Sequence, residues 1–312
     1  MIQAQIIADS KSVRGERITT FLLTFPRIIL SEFNTHRMFS RNSASSRAIP
    51  FKKMVESVEN NPFIPIAWQK EHKGMQGSEY WTEENIIKYL EDSWIESMHK
   101  ALQSAKLLTS KGVTKQLCNR LLEPFMWHTV ICTATDYENF FNLRCPEYVV
   151  NWYPSDRPEA LEPTQGSFKS RKDAIVWTEG ECDDWTEEDW RNSNISQAEI
   201  HIQALAEAMW DAMNESTPKV LEVGEWHIPF GDDLQVATAK CARVSYTTVG
   251  SASNNSHTAD IELYNRLLES GHMSPFEHCG QVMEPERYFD KPYSRNFKGF
   301  VQYREIVETN PH

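Results

Sequence analysis

The chain has 312 residues, enough for one large domain or two ordinary ones with a substantial core. Its 32 Lys and Arg against 44 Asp and Glu leave a formal net charge of −12. This excludes a general binder of nucleic-acid tracts, yet a few converging arginines could still hold one small anion. The six cysteines show no C-x-x-C spacing, which argues against a structural zinc site and suits buried or idle thiols in a reducing compartment. With no basic-then-apolar leader and no apolar run of membrane-spanning length, the expectation is a soluble cytoplasmic protein that meets no membrane.

In chain order, "ITTFLLTF" (18–25) puts Phe21, Leu23 and Phe25 on one face at period two and leaves a polar-flecked second face, the pattern of a strand. Pro26 is tolerated at a first helical turn, and "RIILSEFNTHRMF" (27–39) reads as a helix with Ile29, Phe33 and His36 on adjoining turns. Helices follow at "MVESVENN" (54–61) and at "TEENIIKYLEDSWIESMHKALQSAKLLTSKG" (82–112), with Gly112 as the stop. "KQLCNRLLEPFMWHTV" (115–130) and "DYENFFNLR" (136–144) read as two further buried helices. Residues 146–195 are acidic and lack sustained periodicity, so they read as a surface insertion, either a lid or a plain solvated excursion. "ISQAEIHIQALAEAMWDAMNES" (195–216) resumes a strong helix. "DIELYNRLLESGHMSPFEH" (260–278) opens another, with Asp260 as its N-cap and Gly271 as its end.

Neither a G-x-G-x-x-G, a P-loop nor a G-x-S-x-G elbow is present, so Rossmann, kinase and α/β-hydrolase assignments lack a basis. Two clusters remain. "GHMSPFEH" (271–278) holds His272, Ser274, Glu277 and His278, which serve either as capping and packing groups or as metal ligands. Its His-x5-His spacing does not put both rings on one helical face. In "THRMFSRNSASSR" (35–47), the guanidiniums of Arg37, Arg41 and Arg47 repel one another unless solvated or turned to an anion. The serines and asparagines between them are neutral donors of the kind a phosphate or pyrimidine edge requires.

Together these clusters resemble the flavin-dependent thymidylate synthases. That family's signature reads R-H-R-x7-S, continued as S-x-N-E-x-S-x-R, and "THRMFSRNSASSR" supplies His36, Arg37, Ser40, Asn42, Ser45 and Arg47. "HMSPFEH" matches H-x-[ST]-P-F-E-H, "ARVSY" (242–246) matches A-R-V-S, and "ENFFNLR" and "SQAEI" are similar to two further family stretches. In the family A-R-V-S and H-x-S-P-F-E-H precede R-H-R, whereas here they follow it, so the resemblance implies a circularly permuted, phage-type chain. It implies a ThyX-like α/β (α+β) fold with a small, mostly antiparallel sheet and long helices, one domain over 1–312 with an insertion at 146–195. The tail "YSRNFKGFVQYRE" (293–305) has no counterpart in the family.

The activity implied is transfer of a one-carbon unit from methylenetetrahydrofolate to C5 of dUMP with reduced FAD, NADPH supplying the electrons, in a homotetramer. His36, Arg37, Met38, Asn139, Ser245, His272, Ser274 and Glu277 match positions at the flavin. Ser45, Arg47, Arg120 and Arg144 match positions that hold the nucleotide, with Arg47 and Arg144 stabilising charge on the uracil oxygens and Ser45 orienting the ring. Four departures stand out. Thr35 replaces the first arginine of R-H-R, Ser43 replaces Glu, Glu32 replaces Gln, and Thr135 stands for an arginine that helps bind FAD. Ser43 and Glu32 touch the nucleotide pocket, so another pyrimidine nucleotide or a hydroxymethyl product is an open alternative. A non-catalytic nucleotide binder and a metal-dependent hydrolase using His272, Glu277 and His278 are the others.

Overall fold

Apolar residues at period two make a pair of ten-residue strands, β1 (Gln3–Ser12) and β2 (Arg17–Pro26), joined through Gly15 at φ +106°, a backbone state strained for any other residue. A computed structural model of the chain describes residues 1–73, 77, 79–153, 163–231, 233–245 and 256–309. After β2 come a 3-10 turn at Arg27–Ile29, α1 (Leu30–Phe33), β3 (Ser40–Ser43), α2 (Phe51–Asn60), α3 (Glu84–Ser110), α4 (Lys115–Cys118), a 3-10 turn at Asn119–Phe125 and β4 (Trp127–Ala134). Then follow α5 (Glu138–Arg144), β5 (Tyr148–Trp152), β6 (Thr164–Phe168), α6 (Arg171–Trp177), α7 (Glu187–Ser193) and α8 (Ile200–Glu215). The remainder is β7 (Lys219–Leu221), β8 (Trp226–His227), α9 (Leu234–Arg243), α10 (His257–Glu269), a 3-10 turn at Ser274–Glu277, β9 (Gly280–Val282), α11 (Pro285–Asp290), β10 (Tyr293–Ser294), β11 (Phe297–Lys298), β12 (Phe300–Gln302) and α12 (Tyr303–Thr309). The fold is mixed α/β with small sheets and helices of up to 27 residues, as the sequence implies. Among the described residues no helix is long and apolar enough to cross a membrane.

Contacts divide the chain into two compact units, the second of which takes in the stretch 146–195. The first comprises Met1–Phe63, Met98–Tyr137 and Glu215–His312. Its main sheet has the order β3-β4-β2-β1-β7, antiparallel except for the β1–β7 edge, and β12-β9-β8 form a second, antiparallel sheet. On one face of β2, Phe21 and Phe25 join Phe33, Phe39 and Tyr137 in a chain of aromatic contacts with centroids 5.0–5.5 Å apart. On the other face Ile18 packs with Leu221, Val282, Phe297 and Phe300, and Leu22 packs with Ile131, Cys241 and Val244. Both faces are therefore covered, and β2 is the most deeply buried strand of the sheet.

The second unit comprises Ile64–Ser97 and Glu138–Asn214. β5 and β6 pair antiparallel, and Tyr148, Val150, Ala174, Cys182 and Trp190 form a buried core against Phe168, Ile175 and Trp185. The stretch 146–195 therefore builds a core of its own instead of making a solvated excursion; its residues 154–162 lie outside the described residues. α7 starts with a capping box in which Thr186 and Asp189 satisfy each other's backbone N–H. Arg171 forks onto Glu187 at 2.6 and 2.9 Å and donates its backbone N–H to Glu207 at 2.7 Å. Burial raises the Glu207 carboxyl's pKa.

Three local readings change. The helix expected over 27–39 is one 3-10 turn and one α turn, because Phe33 and Phe39 both reach the core from opposite ends of the bend and Thr35 closes it by donating to the Glu32 carbonyl at 2.7 Å. The helix expected over 115–130 stops as Pro124 interrupts the ladder, and the β-branched Thr129, Val130 and Ile131 continue as strand β4, paired on both sides within the sheet. Asp260 is not an N-cap: Ser256 accepts from the Ala259 N–H at 3.3 Å, and Asp260 is buried one turn later against Arg243. Gly112 and Gly271 do end their helices, at φ +79° and +66°. All six cysteines are free and buried, as read from the sequence.

Candidate active site

Three stretches distant in sequence meet in the first unit. β3 lies antiparallel to β4 with Ser40 opposite Thr133 and Asn42 opposite Ile131, so Ser40 and Asn42 occupy the sheet face that carries Thr133 and its cross-strand partner Thr20. The 3-10 turn Ser274–Glu277 packs against β3, α9 and α12. Pro275 starts that turn with its φ already set, and Phe276 anchors it in the core beside Ala242, Tyr264 and Leu267.

Asn42 connects the first two stretches. With its amide nitrogen turned to the acceptors around it, it donates to Ser274 Oγ at 3.2 Å, to the Ser274 carbonyl at 3.3 Å and to the Arg41 carbonyl at 3.0 Å. The third stretch joins through backbone, the Ser45 N–H donating to the Ser245 carbonyl at 3.3 Å just beyond α9. Tyr246, the last residue of "ARVSY", lies outside the described residues.

Around this junction the other sequence-predicted residues fall as follows. His36 is 8% exposed and its ring stacks on Phe39 with centroids 5.7 Å apart. Arg37 and Arg47 are exposed, while Glu32, Met38, Ser43, Ser45 and Ser245 are partly buried. Arg120 is exposed and lies 4.0 Å from Glu123, whose carboxylate also accepts from Ser46 Oγ at 2.5 Å and sits 3.6 Å from the Arg27 guanidinium. One carboxylate thus ties Arg120 to the chain between Ser45 and Arg47. Asn139, exposed, and Arg144, partly buried, lie on α5 of the second unit.

His272 is exposed on a cavity of about 770 Å³ with Arg243, Arg266, Glu269 and Ser270 over a floor of Leu263 and Leu267. Arg243 is held there by Asp260 and by the Ala259 carbonyl, at 2.8 and 3.1 Å. His272, Glu277 and His278 do not face a common point. His278 is fully buried and bonded to Thr133, and the Glu277 carboxylate pairs with Arg304 at 2.5 Å. Among the described residues no group of three His, Cys, Asp or Glu is placed to hold a metal ion.

The tail 293–305 holds both motifs. Asn296 donates to the Met38 carbonyl at 2.8 Å and to Ser40 Oγ at 3.0 Å; Gln302 donates to Ser40 Oγ at 3.2 Å and to Asn296 Oδ1 at 2.8 Å. Arg304 reaches Glu277, and the Lys298 N–H donates to Thr135 Oγ1 at 2.8 Å. Sequence reasoning missed these groups; the signal was two amides, Asn296 and Gln302, flanking buried Phe297 and Phe300 in a short strand pair. Burial lowers the pKa of the Arg41 guanidinium, opposed by Cys132 and Glu277 nearby. Burial also lowers three histidines of this unit, His128, His227 and His278, to about 3, so their rings are neutral.

No protein-family model matches the chain, and no curated protein matches it. Among solved structures it is similar to PolB, a UMP/dUMP methylase from Streptomyces cacaoi. The complex of PolB with 5-Br dUMP aligns with a TM-score of 0.41 at 16% identity over 64% of this chain and 66% of the other, just under two thirds of that chain's length. The complex with 5-Br UMP aligns with a TM-score of 0.45 at 15% identity over 69% and 89%. A likeness at this level assigns no activity.

Proposed function

We propose that the chain is a circularly permuted, flavin-dependent thymidylate synthase-like enzyme that transfers a one-carbon unit from methylenetetrahydrofolate to C5 of dUMP, giving dTMP, with FAD as cofactor and NADPH as electron donor. The observation that carries this reading is the convergence of three matched motifs: Asn42 of the first on Ser274 of the second, and Ser45 of the first on Ser245 of the third. Nothing in the chain order alone requires these segments to meet.

The donor set beside His272 fits the flavin. Two guanidiniums, one of them paired with Asp260, an imidazole, a hydroxyl and the single carboxylate of Glu269 line a cavity of about 770 Å³ with an apolar floor, and its cations and hydroxyl suit a diphosphate joined to flat rings. The resemblance assigns His36, Arg37, Met38, Asn139, Ser245, His272, Ser274 and Glu277 to holding it, and of these His272 lines the cavity. Bound there, reduced FAD would supply the electrons and carry the one-carbon chemistry. The chain's own part is positioning and charge. Ser45 orients the nucleotide, Arg120 and Arg47 hold its phosphate and pyrimidine oxygens, and Arg47 with Arg144 stabilises negative charge as C5 becomes nucleophilic. Thr35 is occupied in closing its own turn and gives the cofactor no cation. The assembly proposed is a homotetramer.

The test is the visible spectrum of the purified, desalted protein after incubation with FAD, recorded again with dUMP, followed by the mass of the product. A retained oxidised-flavin spectrum that shifts on adding dUMP supports the reading, and a product 14 mass units (about one CH2 group) above dUMP completes it. Arg144→Ala should lose dUMP binding and keep its flavin. A colourless protein sinks the proposal, and a hydroxymethyl product replaces it with the related reaction that Ser43 and Glu32 leave open.

A further inference from the structure

A line of buried polar side chains crosses the sheet of the first unit. Ser10 Oγ lies 2.9 Å from His227 Nδ1, and His227 Nε2 lies 2.8 Å from Thr20 Oγ1. Thr20 Oγ1 lies 2.8 Å from Thr133 Oγ1, and Thr133 Oγ1 lies 2.8 Å from His278 Nδ1. His278 Nε2 is 3.5 Å from the Asn42 amide. Register produces the line: Thr20 and Thr133 are direct partners across β2 and β4, Ser10 pairs with Ile18 two residues along on the same face, and Asn42 is two residues from Ser40, which opposes Thr133. Apolar groups flank it, with Ile18 on one side and Leu22 and Ile131 on the other. Thr20, Thr133, His227 and His278 are fully excluded from solvent, whereas Ser10 borders a cavity of about 470 Å³ with Lys219, Glu225 and Trp226.

Such a line has only two orders in which every bond holds a proton and both threonine hydroxyl protons find an acceptor within it, because each hydroxyl carries one proton and each neutral ring carries one donor and one acceptor nitrogen. An order converging on Thr20 or Thr133 would leave that hydroxyl's own proton without an acceptor in the line, and one diverging from the pair would leave no proton between oxygens 2.8 Å apart. Asn42 selects the order. Its oxygen cannot face the Ser274 and Arg41 carbonyls, so its nitrogen does, and His278 Nε2 then meets a donor and stays bare. The His278 proton must sit on Nδ1 and go to Thr133, Thr133 donates to Thr20, Thr20 donates to His227 Nε2, and the His227 proton sits on Nδ1 and goes to Ser10. The neutrality this requires agrees with the lowering of both rings by burial to about 3.

We infer that Ser10, His227, Thr20, Thr133 and His278 form one hydrogen-bond line of single sense, with both rings protonated on Nδ1, and that this line holds the Asn42 amide toward Ser274. His227, Thr20 and Thr133 are thus positioning residues for a turn that none of them touches through its own side chain, and the cavity end of the device is Ser10. Its bearing on cofactor binding rests on the proposed function; the proton order does not.

The experiment is histidine-ring 15N NMR of the full chain at neutral pH. His227 and His278 should each give the pattern of a single Nδ1–H tautomer. Thr20→Val keeps the shape but removes the acceptor for Thr133, which can then donate to His278 Nδ1, so the Nε2–H form of His278 should rise to a share comparable with the other. Thr20→Ser should restore the wild-type pattern. An Nε2–H ring in the wild type, or a His278 signal unmoved by Thr20→Val, overturns the inference. Should Thr20→Val not fold, Ser10→Ala at the cavity end must shift the His227 ring, and an unmoved ring there overturns it equally. With FAD, Thr20→Val should weaken binding about tenfold and Thr20→Ser should recover it, the tenfold corresponding to about 1.4 kcal/mol. A wild type that binds no FAD removes the proposed function while the tautomer result still decides the line.

Discussion

Lowering the pH from 7.5 to 5.0 should strip stability from the first unit well before its carboxylates titrate. His128, His227 and His278 are held neutral with pKa values lowered by burial to about 3, against a value near 6.5 when unfolded. Between those values the unfolded chain binds more protons than the folded one, so stability rises with pH across the window, is complete above 6.5 and is lost as the pH falls below it. Each ring contributes about 1.36 kcal/mol per pH unit below 6.5, hence about 2 kcal/mol by pH 5.0 and about 6 kcal/mol for the three. Against a typical total of about 5–15 kcal/mol this is a large fraction. The lowered carboxyls of Glu16 and Glu305 act only below the ordinary glutamate value of 4.5, outside the window. Hydrogen exchange of β2 and β4 peptides across a urea series reads this unit alone. His128→Gln should reduce the pH slope by about one third. Protection of β2 that is unchanged between pH 7.5 and 5.0 would mean that these rings charge without unfolding, and the reasoning from burial would be refuted.

Asp260→Ala should destabilise the first unit by about 3–5 kcal/mol, since it strands the largely buried Arg243 guanidinium without its carboxylate; urea midpoints check this, and a loss below about 1 kcal/mol would show the pair to be effectively solvated. The six thiols should resist a maleimide in the native state and all react in urea. Burial alone explains their inertness, with the Cys132, Cys145 and Cys279 thiols pushed up to about 12.

Much of the fold was legible where pattern and packing agree. The period-two run at 18–25 became the central strand, and the 3.6-period segments 84–110 and 200–215 became helices. What was misread follows one rule: tertiary burial overrode local pattern. The segment 115–130 is apolar enough for a buried helix, but only its partners β2 and β3 make Trp127–Ala134 a strand. Asp260 has the composition of an N-cap, yet its partner Arg243 is 17 residues upstream, beyond the reach of a window reading. At the site, the motif residues of 36–47, 245 and 272–278 were named from the sequence, whereas the groups that fix them were not. The polar flecks noted on the second face of 18–25 include Thr20, whose meaning depends on Thr133 and His227, 113 and 207 residues away.

The clamp on Met38 and Ser40 sets a schedule for biosynthesis. Asn296 is made 258 residues after Met38 and Gln302 is made 262 after Ser40. At about 5–20 residues per second, β3 waits on the order of 10–50 s on the ribosome before the amides that fix it exist. During that interval the β1–β2 hairpin can form, because its pairing is local, but the ends of β3 cannot be set. Slowing translation over the last twenty or so described residues should therefore leave the N-terminal strands protected while prolonging a state in which the segment around Ser40 stays open to proteases and chaperones.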